Sequence, residues 1–511
     1  MKKNAVFLTL FGLALVVGLV LWSRVDPAVQ VAANWWGLGD LPVPGRFKVQ
    51  PLPPNYPQYT AVQGLIERVD GPSYDWSPPN PVQAVAQEAV STFSVDVDTA
   101  SYSNVRRILR DGQPVPKAAV RIEEMLNYFH YDYPAPVRDL PLAITGEVAD
   151  CPWAPEKRLL RIGLKAREMH PQQLPRCNLV FLIDVSGSMQ SDDKLPLLKR
   201  GLATLVEHLN PHDRVAVVVY AGAAGLVLDS TEAERRGAIL EAIEHLEAGG
   251  STNGGEGIAL AYHVARRNFV KDGVNRVILA TDGDFNVGAS NDEALIELIE
   301  RMRESGVALS VLGFGRDNLN DSGLEKLADH GNGNYAYIDS LSEARRVLVE
   351  QAGGTLVTVV QDVKLQLEFD RERVRSYRLV GYSNRVLENQ DFADDRKDAG
   401  EMGSGQSVTA LYEFEPVSGP GRVARLKIRY KQPGGWESQL IDGVLTDYGV
   451  TLDEASEDFR FASAVAEFGM VLRHEGGSLD RVVQATMDCR EPDRREFHEI
   501  VRRYAAWRNH S

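Results

Sequence analysis

Leu179-Val180-Phe181-Leu182-Ile183 is a strand-length run without a polar residue, and Asp184-Val185-Ser186-Gly187-Ser188-Met189 breaks it. A strand that is apolar at every position has no face to offer water, so both faces must be covered. The pattern recurs downstream. Strands are expected near 178–183, 214–220, 226–229, 275–281, 307–314 and 335–338, and helices near 194–209, 231–247, 256–271, 291–305, 320–329 and 341–352. Such alternation predicts an α/β fold, a doubly wound and mostly parallel sheet with helices on both sides.

The loop after Ile183 places one carboxylate and two hydroxyls at the C-terminal end of a central strand. Open α/β sheets bind ligands at that edge. Oxygen-only donors suit a hard cation such as Mg²⁺. A capping loop is the other reading of a lone Asp-x-Ser-x-Ser, because Ser and Asp are favoured helix caps. Two later segments favour the metal. Gly249-Gly250-Ser251-Thr252-Asn253-Gly254-Gly255 is a hydroxyl-bearing glycine loop that opens a helix, and Val277-Ile278-Leu279-Ala280-Thr281-Asp282 is a second buried strand ending in a carboxylate.

Asp-x-Ser-x-Ser, then a loop threonine, then a strand-end aspartate closely resembles the metal-ion-dependent adhesion site of the von Willebrand factor type A (VWA) family. Asp184, Ser186, Ser188, Thr252 and Asp282 fall on its five positions. The resemblance implies that the hydroxyls bind Mg²⁺, or Mn²⁺, directly and that the aspartates hold it partly through water, with Ca²⁺ weaker. It implies a binding module in which an acidic residue of an unidentified partner protein completes the coordination, and not an enzyme. It also raises coupling between the metal loops and the last helix, near 341–352, which runs into Gly353-Gly354.

The 511 residues are too many for one core, and the net charge of −15 argues against a nucleic-acid partner, which needs a basic footprint. Met1-Lys2-Lys3-Asn4 precedes an apolar run of about 18 residues, from Ala5 to Trp22. We expect an uncleaved signal anchor in the cell membrane, single-pass, with Lys2 and Lys3 on the cytoplasmic side and the bulk of the chain extracytoplasmic. If the segment is cleaved, the protein is secreted or periplasmic. Of three cysteines, Cys151 and Cys177 could pair in an oxidising compartment or stay as buried thiols.

The expected organisation is a signal anchor or signal peptide over 1–25, a Pro-rich linker over 26–84 and an N-terminal extension over 85–140. Flanking sandwich strands follow over 141–177, the VWA domain over 178–354, a β-sandwich over 355–450 and a C-terminal helical region over 451–511. Runs of period two at 357–360, 363–369, 377–380, 409–414 and 424–430 read as antiparallel strands. We expect that sheet to share strands with 142–165, so that the VWA domain is inserted in a β-sandwich, with a small α+β N-terminal module and C-terminal helices around it. Both flanks resemble those of a bacterial VWA subgroup, which has an N-terminal extension of this kind and an uncharacterised C-terminal domain.

Asp96-Val97-Asp98-Thr99 invites a second function, a metal-dependent phosphatase with Asp96 and Asp98 as nucleophile and general acid. The threonine follows the second aspartate one residue too early for the phosphatases it resembles. An assembly factor for an envelope complex is a third reading.

Overall fold

The computed structural model describes residues 72–137, 140–170, 174–221, 224–250, 254–283, 292–317, 319–351 and 356–508. The apolar N-terminal segment, most of the proline-rich linker, Thr252 and Gly353-Gly354 lie outside the described residues. Among the described residues no helix is long and apolar enough to cross a membrane.

Six strands form the central sheet, in the spatial order Tyr335–Tyr337, Ala308–Gly313, Val274–Thr281, Cys177–Asp184, Arg214–Tyr220 and Ala224–Glu232. The first five run parallel and the last is antiparallel. Side chains alternate across the sheet, so one apolar run feeds two cores. Leu179, Phe181 and Ile183 pack with the helices Leu195–His208 and Arg236–Glu244. Val180 and Leu182 pack with the helices Gly254–Arg267 and Asp321–His330. This is the doubly wound arrangement expected from the sequence.

Two elements differ in detail from expectation. The helix expected from 231 begins only at Arg236, because the edge strand keeps pairing through Glu232, opposite Arg214. The last helix is α-helical only over Leu341–Arg345 and continues as a π turn, Arg346–Glu350.

The β-sandwich is built from strands on both sides of this domain in sequence. One sheet runs Gln83–Ala84, Val374–Val380, Ser407–Pro416, Arg158–Ala166, Leu142–Asp150. The other contains Met402–Gly403, Thr358–Phe369, Gly421–Lys431 and Gln439–Asp447, and Val90–Ser94 also pairs with Thr358–Phe369. The chain thus leaves the sandwich at Ala166 and re-enters it at Thr358. The runs expected at 357–360 and 363–369 are one strand, bulged at Asp362, whose φ is 51°.

Phe93, Leu160, Ile162, Leu365, Phe369, Tyr412 and Leu426 fill the space between the sheets. On the outer face, Leu159, Val380 and Leu411 meet a separate aromatic core. There Tyr102 and Phe129, from the helices Ala100–Arg110 and Ile122–Tyr128 or just past them, pack on Phe461 and Phe497 of the C-terminal helices Glu457–Arg473 and Pro492–Arg508. The Phe129 ring lies 4.9 Å from Phe461 and 5.5 Å from Phe497.

Candidate functional site

Asp184 is the last residue of its strand, and Asp282 follows the last residue of the neighbouring one. Parallel pairing therefore brings both carboxylates to one end of the sheet. Asp184 is fully buried. The Ser186 N–H donates to its Oδ1 at 2.8 Å, while Tyr220 Oη and Thr281 Oγ1 donate to its Oδ2 at 3.2 and 3.1 Å. Burial pushes the Asp184 carboxyl up to about 6, against the pull of Ser186 and with the neighbouring Asp282 adding to the rise. A paired, desolvated anionic site of this kind favours a cation.

The break after the strand turns back as a short 3₁₀ segment, Gly187–Gln190, anchored by the fully buried Met189. That turn sets the Ser186 and Ser188 hydroxyls 2.9 Å apart. The Gly187 N–H donates to the Gly250 carbonyl at 3.2 Å, and the Gly249 N–H to the Val185 carbonyl at 2.7 Å. The glycine loop is thereby stitched to the Asp-x-Ser-x-Ser loop just before Thr252. Of the five candidate ligands, the structure gathers Asp184, Ser186, Ser188 and Asp282 at one sheet edge. The donor set of hydroxyls and carboxylates fits a hard divalent cation.

Two participants were not found from the sequence. Tyr220 ends the next strand and caps Asp184. Lys194 is buried and holds Asp282 through a 2.9 Å contact from Nζ to Oδ2. Its stem crosses Gly315, where φ is +79° and a Cβ would fall 2.2 Å from Lys194 Cε. Gly315 thus supplies both a left-handed turn and the slot for the lysine.

Asp96 and Asp98 are both buried. The Asp98 N–H donates to Asp96 Oδ1 at 2.8 Å, and the Tyr335 N–H donates to Asp98 Oδ1 at 2.8 Å. Arg385 lies 3.2 Å from Asp96. In this setting the pair lies where the extension meets the VWA domain and the sandwich. The three cysteines are free, and burial pushes both the Cys151 and the Cys177 thiol up to about 12.

Comparison with known proteins finds family matches along most of the described chain. Residues 178–352 match the von Willebrand factor type A domain family. Residues 69–161 match a family described as von Willebrand factor, and residues 354–424 and 418–506 match one described as uncharacterized protein YfbK, C-terminal. The uncharacterized protein YfbK of Escherichia coli is 43% identical over 422 residues, 77% of this chain and 73% of that protein. The uncharacterized protein sll0103 of Synechocystis is 32% identical over 60% of this chain and 74% of its own. A solved structure, von Willebrand factor type A from Catenulispora acidiphila, aligns with a TM-score of 0.42 and 17% identity over 68% of this chain and 86% of that one.

Proposed function

Because the chain belongs to the YfbK family of VWA proteins, we propose that it is a membrane-anchored, extracytoplasmic protein-binding module whose adhesion site holds Mg²⁺ and, through it, an acidic residue of a partner. A VWA domain is an adhesion-type interaction module, and VWA domains commonly bind a divalent metal at this site. The observation that carries the reading is the meeting of Asp184, Ser186 and Ser188 with Asp282 at the C-terminal edge of the sheet. Ser186, Ser188 and Thr252 would offer neutral oxygens, and Asp184 and Asp282 the charge. Neutral ligands leave the ion electrophilic enough to take a carboxylate from another protein. With the chain itself acidic overall, that carboxylate must be drawn by the local ion and not by the global field.

Calorimetry tests this. Asp184→Ala should abolish Mg²⁺ binding while circular dichroism stays that of the parent, because the site lies at the sheet edge. Unchanged Mg²⁺ affinity in that variant overturns the assignment. The anchor is tested by fractionation: the full-length chain should stay in the membrane pellet through a high-salt wash, whereas a shortened soluble form shows cleavage.

A further inference from the structure

The segment Asp96-Val97-Asp98 and the pair Glu123-Glu124 belong to the extension, whereas Asp321, Glu325 and Asp329 lie on one face turn after turn of a VWA helix, Asp321–His330. The fold presses these segments together beside Arg385, which comes from the sandwich. Arg385 lies 3.2 Å from Asp96, 3.7 Å from Asp98, 3.6 Å from Glu325 and 2.8 Å from Asp329. Arg121 pairs with Glu124 and Asp321 and lies 3.6 Å from Glu325. Six carboxylates therefore share two guanidinium groups. All but Asp329, at the rim, are buried. An uncompensated buried charge costs several kcal/mol, so this imbalance calls for more positive charge than the two arginines bring.

A second observation locates where it would go. Asp98 Oδ2 is buried and has no hydrogen-bond partner among the described residues, the Arg385 guanidinium being too far for one. Asp98 lines a cavity of about 190 Å³ together with Asp96, Asp329 and Arg385. Behind Asp96, one carboxylate oxygen each from Asp96, Glu124 and Glu325 lie within 4.8 Å of one another. Calcium binds oxygens at roughly 2.3–2.6 Å, so oxygens on opposite sides of it are about 4.6–5.2 Å apart.

We propose that Asp96, Glu124 and Glu325 hold a calcium ion beside the unpaired Asp98 carboxylate, and that the ion clamps the extension to the VWA domain. The ion is separate from the adhesion site, whose ligands lie on other loops. Oxygen donors without sulfur or nitrogen select a hard cation.

The test uses the full chain carrying Asp184→Ala, which removes the adhesion site. Calorimetry with CaCl₂ should show one bound ion, and thermal unfolding should move up by several degrees in Ca²⁺ and back in EGTA. Adding Glu325→Gln, which keeps the shape and the Asn384 hydrogen bond to Oε1, should weaken Ca²⁺ at least tenfold. If that variant fails to fold, Asp96→Asn, which keeps the side-chain shape, should show the same loss. No Ca²⁺ bound by the folded Asp184→Ala chain, or an affinity undiminished by Glu325→Gln, overturns the proposal and leaves bound protons as the balancing charge. Loss of Mg²⁺ at the adhesion site leaves it untouched.

Discussion

At the sheet edge, Asp184 and Asp282 come from adjacent strands of one domain, and the Lys194 ammonium pairs with Asp282. Beneath the extension, carboxylates from the extension and the VWA domain meet an arginine of the extension and one of the sandwich. The first group is local and sits on loops that end strands. The second is buried between bodies, and removing any member leaves its partners without solvent. The same residue types thus occur in two settings that are both buried, and what separates them is that the first is gathered by strand ends of one domain and the second by three separate parts of the chain.

The sharpest way to break that contrast is to delete a cation from each. Arg385→Ala strands Asp96 and Asp329 with their closest counter-charge gone. It should lower stability by about 3–5 kcal/mol, the range for breaking a buried pair by removing one partner. Urea midpoints, compared with the parent, measure it. A loss as small as that of an exposed ion pair would mean the seam is wet and the contrast false.

The last VWA helix belongs to the cohesive kind. Arg106 of the extension lies 2.6 Å from Asp339 and 2.8 Å from Glu343, and Tyr128 donates to Glu343 Oε2 at 2.8 Å. Burial works to raise the Glu343 carboxyl, but Arg346 and Arg106 overcome it and hold it below its ordinary 4.5. A carboxyl depressed in the folded state stabilises above its unfolded pKa, and that contribution is lost as pH falls through the folded value. Glu343→Gln should therefore cost about 1.5–3 kcal/mol near neutrality, the scale of hydrogen bonds to a charged group. The deficit should shrink as acid approaches and passes 4.5. A deficit constant from neutrality to strong acid would show that Glu343 acts through shape alone. A helix held this way opposes the coupling to the sandwich that its resemblance to adhesion domains raises.

The doubly wound sheet was legible because apolar runs such as 179–183 admit one environment, and Asp184, Ser186 and Ser188 were legible because they are neighbours in the chain. The strand Gln439–Asp447 was not: its inner face carries Gly443 and Asp447 beside Ile441 and Leu445, while Leu440 and Val444 are exposed, so its apolar residues do not follow the alternation of burial. Asp96 and Asp98 stood out in the sequence, but their setting depends on Arg385, which is 289 residues from Asp96. No local pattern carries such a pairing. Lys194 fails for a related reason, since its place is fixed by the backbone of Gly315.

Lys194 also gives the finest test of the contrast. Its ammonium already neutralises Asp282 from inside the protein, 2.9 Å away and shielded from water. A metal arriving at Asp282 must share that carboxylate with a like charge. Lys194→Met keeps the stem that fills the slot beside Gly315 and removes only the competitor. Mg²⁺ affinity should then tighten by about tenfold, or about 1.4 kcal/mol. Gly315→Ala should act in the same direction by displacing the stem, at the added cost of a strained backbone at φ +79°. If Lys194→Met instead weakens Mg²⁺, the lysine is an aligner of Asp282 and the sheet edge is built by the same cohesive logic as the buried seam. An unchanged affinity would place Asp282 outside the coordination altogether.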